Sequence, residues 1–238
     1  MKFSCSQQTL AKSLNIVSKA VTSRTTIPIL KGILLRVNED GTLTMSASDL
    51  DLGIEKTFEV DNSEKGEIVV QAKLFGDIIR KLPNDIITVE DEEGNVIIRC
   101  SNSEFNIVGW PSDEFPKLNS KEEHESKILF EKEILKDMIR KTSFSASIDE
   151  SRGVITGILV EIKEKTLNMV ALDGFRMAIS RQAIRNDREE NIIIPAKTFN
   201  EIAKIISETE NDDEKGTVDL YISDKRAVFI IEDTKVFL

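Results

Sequence analysis

The chain has 238 residues, 40% of them hydrophobic and 31% charged, and its formal net charge at pH 7 is −10. It contains no apolar stretch long enough to cross a bilayer and no amino-terminal hydrophobic segment typical of a secretion signal. Composition therefore argues against a membrane-spanning or secreted protein. It predicts a cytoplasmic one, in which Cys5 and Cys100 stay reduced.

Four segments show the spacing of apolar residues that is typical of amphipathic helices. In chain order they are 8–23, 72–82, 132–146 and 197–208. Alternating apolar runs between them predict strands. Hairpin turns are predicted at Asp40-Gly41, Gly94-Asn95, 163–165 and Asp224-Lys225, the last two with weaker turn chemistry.

The two halves of the chain repeat one unit. Residues 68–82, IVVQAKLFGDIIRKL, return at 192–206 as IIIPAKTFNEIAKII, and flanking strands repeat at the same offset or one residue away from it. On the polar face of the repeated helix, Lys73 returns as Lys197. A solvent-facing position varies freely unless something binds there, so this repeated cation indicates a ligand. The open alternative is a solvated helix face.

Residues 110–127, WPSDEFPKLNSKEEHESK, break every periodicity and predict a linker. The predicted organisation is a first domain at 1–117, a linker at 118–127 and a second domain at 128–238. The fold class is α+β, with two tandem repeats that each contain two helices and antiparallel sheets.

Basic residues concentrate in the four predicted helices, which contain 11 Lys and Arg against 5 Asp and Glu. The rest of the chain contains 21 basic and 37 acidic residues. If the helices share one side of the molecule, that side is positive and suits a polyanion. The open alternative is that exposed helices carry lysine for solubility and helix propensity.

Nothing in the sequence favours an enzyme. The one histidine, His124, lies in the acidic linker, and no nucleophile elbow, phosphate-binding glycine loop or Cys/His metal spacing is present. The acidic runs 90–93 and 210–214 are typical of solvated turns. We therefore expect no catalytic residue, no metal site and no cofactor.

Several motifs together carry a specific resemblance. They are MKFSCSQQTLAKSLNIVSKAVTSRTTIPILKGILL, SASDLDLGI, VVQAKLFGDIIRKLP, FNIVGWPSDEFP, ALDGFRMAIS and IIIPAKTFNEI. In this order they resemble the bacterial sliding clamp family, the β subunit of DNA polymerase III, over essentially the whole chain. The resemblance implies the DNA-clamp fold and a processivity factor, in which two three-unit chains form a ring around duplex DNA.

The resemblance also implies partners and sites. The partners are duplex DNA bound without sequence preference, a second subunit of the ring, and the DNA polymerase III α subunit, the clamp loader and repair polymerases, which bind through short linear motifs. Positions matching contacts to the DNA backbone are Arg24, Lys73 and Lys197. Positions matching the peptide pocket are Arg152, Ile155, Leu172, Gly174, Phe175, Arg176 and Met177. Positions matching the subunit interface are Leu74, Ile78, Phe105 and Ile107.

This sequence departs from the family at three places. Phe175 stands where many relatives have histidine, Asp149 and Gly153 lie in a loop that often reaches DNA in the family, and no third unit follows within the 238 residues. Two alternatives to a ring-forming clamp therefore stay open: a protein-binding scaffold on the same duplicated fold that does not bind DNA, and an incomplete clamp fragment without ring function.

Overall fold

The structure is a computed structural model that describes residues 1–118, 126–184, 189–209, 216–223 and 226–238. The predicted turn Asp224-Lys225, the acidic run 210–214, His124 and most of the predicted linker 118–127 lie outside these ranges. The described residues form four α-helices: α1 Gln7–Val17, α2 Ala72–Lys81, α3 Lys132–Thr142 and α4 Ala196–Thr209. The predicted helices 8–23 and 132–146 are too long, because α1 and α3 end in single 3-10 turns, Ser18–Ala20 and Ser143–Ser145.

The strands follow the predicted order. In the first half they are β1 Lys2–Ser6, β2 Gly32–Val37, β3 Thr42–Ser48, β4 Gly53–Glu59, β5 Asp61–Glu64, β6 Gly66–Gln71, β7 Ile86–Glu92, β8 Asn95–Cys100 and β9 Ser103–Val108. In the second half they are β10 Ser126–Glu131, β11 Gly157–Lys163, β12 Thr166–Leu172, β13 Met177–Ala183, β14 Glu190–Pro195, β15 Thr217–Ser223, β16 Arg226–Ile231 and β17 Thr234–Phe237. Every described pairing between strands is antiparallel.

The chain divides into two compact units: unit 1 is Met1–Lys121 with Asp233–Leu238, and unit 2 is Glu122–Glu232. Unit 1 contains the sheet β5-β1-β7-β8-β9 and the strand series β17-β4-β3-β2-β6. Unit 2 contains the sheet β13-β12-β11-β14 and the series β10-β15-β16. The closing residues join unit 1 because β17 pairs with β4, whereas the predicted second domain, 128–238, includes them.

Each helix buries one apolar face. Leu10, Leu14 and Val17 of α1 are fully buried, and Ser6 caps this helix by accepting a hydrogen bond from the Thr9 backbone N–H. In α3 the corresponding buried positions include Thr142, whose hydroxyl donates to the Met138 carbonyl. The polar side chain is therefore accommodated in the core without an unsatisfied group.

The buried face of α2 differs by one residue from the prediction. The repeat predicts Phe75, Ile78 and Leu82, but Ile79 is fully buried and Ile78 is half-buried. Adjacent helical positions lie about 100° apart, so either one is compatible with the same apolar stripe. In α4 the predicted stripe is confirmed, since its members are all buried: Phe199, Ile202 and Ile206.

Two hairpins turn through two residues in the left-handed region. Glu93 and Gly94 connect β7 to β8, so the predicted turn at Gly94-Asn95 is one residue late. Glu164 and Lys165 connect β11 to β12, which confirms the predicted turn at 163–165 although neither residue is glycine.

Residues 110–118 are part of unit 1. Trp110 exchanges both backbone hydrogen bonds with Val69, at 2.8 and 3.0 Å, and Phe115 is buried against Ile29 and Leu34. The loss of periodicity at Trp110 therefore marks the end of regular strands and not the end of the packed unit.

Gly32 and Gly157 occupy equivalent places, at the first residue of β2 and β11. A Cβ on Gly32 would lie 2.4 Å from Cγ1 of Val69, and one on Gly157 would lie 2.5 Å from Cγ2 of Ile193. Both distances are far below a van der Waals contact, so the neighbouring strand approaches each glycine too closely for any other residue.

Both cysteines are buried free thiols in the same sheet, Cys5 in β1 and Cys100 in β8, with β7 between the two strands. Burial raises the pKa of the Cys5 thiol to about 12, with a smaller contribution from the negative charge of Asp61. No helix within the described ranges is long and apolar enough to cross a membrane.

Candidate nucleic-acid and peptide interfaces

Lys73 and Lys197 are the second residues of α2 and α4, and both side chains are exposed. In the part of the chain that the structure describes, neither ammonium has an acidic partner within ion-pair distance. The duplication therefore places a free positive charge at the start of the second helix in both units.

The rest of the repeated polar face is neutralised within each helix. Asp77 pairs with Arg80 at 2.8 Å in α2, and Glu201 pairs with Lys204 at 2.8 Å in α4. Exposed ion pairs of this kind contribute a few tenths of a kcal/mol to the helix. In each helix, the repeated polar face thus presents one lysine, Lys73 or Lys197, that is unpaired among the described residues, followed by one ion pair.

The free cations oppose the helix dipole. The first turns of α2 and α4 contain no acidic residue, and a cation at a helix N-terminus costs about 0.3–1 kcal/mol in an exposed position. Lys73 and Lys197 therefore do not stabilise their helices. By contrast Lys132, the first residue of α3, is buried and forms an ion pair with Glu232 inside unit 2.

Arg24 is exposed in the loop that follows the 3-10 turn after α1. Its backbone N–H donates to the Thr22 hydroxyl at 3.3 Å, and its guanidinium has no ion-pair partner in the described ranges. Arg24 and Lys73 belong to unit 1, in which α1 and α2 pack together, and Lys197 belongs to unit 2, in which α3 packs on α4.

The turn between β12 and β13 is organised by Asp173. One carboxylate oxygen accepts the backbone N–H groups of Phe175 and Arg176 at 2.9 and 3.0 Å, and the other accepts Nε of Arg176 at 2.9 Å. These bonds hold the pKa of the Asp173 carboxyl below its ordinary value, with the N–H of Phe175 as the largest cause.

Arg152 holds the opposite side of this turn. Its Nη1 donates to the Asp173 carbonyl at 2.7 Å. Gly174 has φ of +90°, and a Cβ there would lie 3.0 Å from Nη2 of Arg152. Glycine at this position avoids the strain of a positive φ and leaves room for the guanidinium beside it.

The apolar members of the predicted pocket surround this turn and face outward. Phe175 is 95% exposed and Met177 is 61% exposed, whereas Leu172 and Ile155 are covered further. Six predicted residues thus lie at or beside this turn in unit 2 as an open surface with two fixed arginines, namely Arg152, Leu172, Gly174, Phe175, Arg176 and Met177. Ile155 lies in the 3-10 segment Glu150–Thr156 that carries Arg152.

Sequence reasoning missed Phe144. It is 58% exposed, and the Arg176 guanidinium lies 5.8 Å from the centre of its ring, within the range of a cation–π interaction. Its signal in the sequence is weak: a lone aromatic residue after the last turn of α3. Arg176 is therefore held from two sides, by Asp173 and by Phe144.

The loop that departs from the family is ordered by Asp149. Its carboxylate accepts the backbone N–H and the hydroxyl of Ser151, at 3.1 and 2.7 Å, and the hydroxyl of Ser151 is the main cause of a lowered pKa at Asp149. Ile148, next to it, is fully exposed. Gly153 breaks the 3-10 segment Glu150–Thr156 with φ of +62° and leads the chain back from Arg152 to β11.

The predicted interface residues are only partly accessible. Leu74 and Phe105 are exposed and Ile78 is half-buried, but Ile107 is 7% exposed and lies opposite Val96 inside unit 1. On the same strand, β9, the structure exposes an apolar residue that the sequence did not single out, Val108.

No group of three or more His, Cys, Asp and Glu side chains in the described ranges is arranged to hold a metal ion.

The repeated unit of two helices on antiparallel sheets defines the class of proteins with the DNA-clamp fold. A model of the DNA polymerase III beta subunit N-terminal domain matches residues 1–119, and a model of the central domain of that subunit matches residues 130–237. The chain belongs to the DNA polymerase III beta subunit family.

Individual relatives agree with this assignment. The beta sliding clamp of Bacillus subtilis strain 168 is 36% identical over 250 residues, which cover 100% of this chain and 64% of that protein. The crystal structure of the Bacillus subtilis DNA polymerase sliding clamp matches with a TM-score of 0.90 and 34% identity, over 100% of this chain and 63% of that one. The Pseudomonas aeruginosa sliding clamp bound to griselimycin matches with a TM-score of 0.91 and 26% identity, again over 100% and 63%. The chain thus spans slightly less than two thirds of the length of these relatives.

Proposed function

We propose that the chain supplies two repeated units of a sliding clamp, a non-catalytic processivity factor that encircles duplex DNA. It tethers the replicative polymerase and other partners through the surface around the 173–176 turn. The observation that carries this proposal is the pair Lys73 and Lys197: two exposed cations at equivalent helix starts, which have no ion-pair partner among the described residues and oppose the helix dipole.

The free cations suit DNA that is held without being read. Lysine ammonium groups contact phosphate as point charges and carry no sequence information. A few such contacts give weak binding that falls steeply with salt, which allows a protein retained by topology to move along the duplex. The net charge of −10 also argues against a tight complex of the isolated chain with linear DNA.

The first test is the salt dependence of duplex binding, measured by fluorescence anisotropy on the 238-residue chain. The double variant K73E/K197E is expected to bind more weakly and to lower the slope of log K against log salt by about 1.8, roughly 0.9 for each phosphate that is no longer neutralised. The measurement begins at low salt, at which the wild-type chain binds most strongly.

The matched control is K65E/K163E, which makes the same change in net charge at exposed lysines away from the helices. The control is expected to keep the wild-type slope. Equal slopes for the two double variants would remove the helix lysines from the DNA-binding surface. A wild-type slope in K73E/K197E would favour the scaffold alternative that does not bind DNA.

The second part of the proposal concerns the exposed surface of unit 2. Phe175, Met177 and Leu172 offer apolar area, and Arg152 and Arg176 offer donors that their own hydrogen bonds hold in place. A short peptide with a hydrophobic side chain and free carbonyl groups fits this combination. We infer that the polymerase, the clamp loader and repair polymerases dock here through such motifs.

The test is a titration with a synthetic motif peptide derived from a replicative polymerase. Arg176→Ala is expected to weaken binding at least about tenfold, which corresponds to roughly 1.4 kcal/mol. Arg181→Ala removes another exposed arginine of β13 and is expected to leave the affinity unchanged. If both variants bind the peptide equally weakly, the peptide binds through general charge and not through the 173–176 turn.

A further inference from the structure

The Arg176 side chain contacts two different elements of unit 2. Its Nε donates to the Asp173 carboxylate at 2.9 Å within the turn between β12 and β13. Its guanidinium carbon lies 5.8 Å from the centre of the Phe144 ring, which belongs to the 3-10 turn after α3. The Arg176 side chain is 59% exposed, and its two Nη groups have no hydrogen-bond acceptor among the described residues. These two groups are therefore available to a ligand.

Asp173 fixes Arg176 only relative to their own turn. The two residues are three positions apart, and the same carboxylate also accepts backbone N–H groups of the turn. An exposed ion pair is a weak restraint, because both side chains lose rotamer freedom when it forms. A contact from an element outside the turn therefore adds a restraint on the guanidinium that the ion pair does not supply.

The backbone that carries Phe144 is held by hydrogen bonds on its C-terminal side. The N–H of Ala146 donates to the Ser143 carbonyl at 3.2 Å, and the N–H of Ser147 donates to the Ile155 carbonyl at 2.9 Å. Ala146 is also buried, whereas Phe144 is 58% exposed. The ring of Phe144 therefore stands at the surface on a fixed piece of backbone and can support a neighbouring side chain.

In the repeat, the aromatic residue and the arginine change together. The 3-10 turn after α1 corresponds to the one after α3, so Lys19 is the equivalent of Phe144. Leu52 is the equivalent of Arg176 and is buried. Unit 1 thus has neither the exposed arginine nor the ring beside it, although an aspartate closes its turn between β3 and β4 in the same way. The ring accompanies the arginine and not the turn.

We propose that Phe144 is a positioning residue of the peptide surface: its ring holds the Arg176 guanidinium where the Nη groups bind the motif peptide. This inference rests on the proposed function of that surface. Aromatic rings attract a guanidinium through their quadrupole, which an aliphatic side chain lacks. An arginine that is already ordered loses less conformational freedom on binding, so the ring raises peptide affinity without contacting the peptide.

The first test is a double-mutant cycle in the motif-peptide titration. Phe144→Leu removes the ring and is expected to weaken binding about two- to fivefold, the range that an exposed cation–π contact supplies. Phe144→Tyr keeps the ring and is expected to bind like the wild-type chain. In the Arg176→Ala background, Phe144→Leu is expected to have no further effect on affinity, because the ring acts only through Arg176.

Two outcomes of the cycle overturn the proposal. Wild-type affinity in Phe144→Leu would mean that the ring does not position the arginine. An equal loss of affinity with and without Arg176 would mean that the ring contacts the peptide itself or only supports the fold. Thermal unfolding checks that each variant is folded at the titration temperature, and Phe144→Met serves as a second ring-free variant of similar size.

The second test needs no peptide. NMR follows the Nε–H resonance of Arg176 in the free chain, where its loss in Arg176→Ala identifies it. The ring current of Phe144 is expected to displace this resonance, so it moves in Phe144→Leu and stays near its wild-type position in Phe144→Tyr. An unchanged position in all three chains overturns the proposed contact.

The two tests also separate this inference from the proposed function. A chain that shows the resonance shift but binds no motif peptide contradicts the proposed function of the surface. A chain that binds the peptide without the resonance shift contradicts only the role of Phe144.

Discussion

The turn between β3 and β4 in unit 1 and the turn between β12 and β13 in unit 2 have the same construction. Asp49 accepts the backbone N–H groups of Asp51 and Leu52 at 3.1 and 2.7 Å, as Asp173 accepts those of Phe175 and Arg176. In both turns the next residue is left-handed, with φ of +81° at Leu50 and +90° at Gly174.

The surroundings of the two turns differ. In unit 1 the residue after the turn, Gly53, lies under Leu118 of the same unit, and Leu52 is buried. In unit 2 the equivalent residues, Met177 and Arg176, are exposed. A carboxylate-capped turn is therefore a scaffold that the duplication kept. Whether its own chain covers the turn decides if the following residues lie in the core or at the exposed surface.

The largest expected effect comes from removing the capping carboxylate of each turn. Asp49→Ala and Asp173→Ala each remove two hydrogen bonds to backbone N–H groups, so each is expected to lower Tm by about 2–4 °C. Only Asp173→Ala also releases the Arg176 side chain, and it is expected to weaken motif-peptide binding at least about tenfold. The measurements are thermal unfolding and peptide titration. Equal peptide affinity in the two variants would show that the Asp173 turn does not organise the site.

A smaller effect on stability is expected from substituting the residue with positive φ in each turn, Gly174 or Leu50. Gly174→Ala adds a Cβ at positive φ beside Arg152 and is expected to destabilise the chain by about 1 kcal/mol. Leu50→Gly relieves an exposed residue of the same strain and is expected to stabilise it by about 0.5–1 kcal/mol. Denaturant unfolding measures both changes. A loss of stability in Leu50→Gly would mean that the Leu50 side chain contributes packing that its exposure does not indicate.

Much of the fold is readable from the sequence, and the reasons are local. The stripe of α4 and the hairpin at 163–165 depend on residues close together in the chain, and both are confirmed. The repeat also places Lys73 and Lys197 on equivalent helix positions. The choice of Ile79 over Ile78 as a core residue was not readable, because it depends on the surface that α2 meets.

The arrangement of the predicted peptide-pocket residues could not be read from the sequence. The resemblance selects the 172–177 segment, but the contacts that hold it in shape join residues far apart in sequence. Arg152 reaches the Asp173 carbonyl, and Phe144 lies beneath the Arg176 guanidinium. The burial of Ile107 is likewise set by its cross-strand neighbour Val96. Pairings of this kind leave no periodic signal.

The smallest expected effect is a pH dependence that belongs to the unit 2 turn. Because hydrogen bonds lower the pKa of Asp173 from 3.8 in the folded chain, its carboxylate adds stability above that pH. The contribution is lost as pH falls through the lowered pKa. The difference in Tm between wild type and Asp173→Asn is therefore expected to shrink as the pH falls below 3.8 and through the lowered pKa. A difference that grows on acidification would mean that the carboxyl is protonated more readily in the folded chain.

Gly32 of β2 and Gly157 of β11 are equivalent positions at which the two units have kept the same residue. At other positions a glycine in one unit is replaced in the second unit. Met177 is the equivalent of Gly53, and Asn200 is the equivalent of Gly76. At Gly32 and Gly157 the space left by Val69 and Ile193 excludes even a methyl group. In any other chain suspected of containing this unit, a glycine followed by an aliphatic strand is therefore a more dependable landmark than the charged helix faces, which evolution can rewrite for a new ligand.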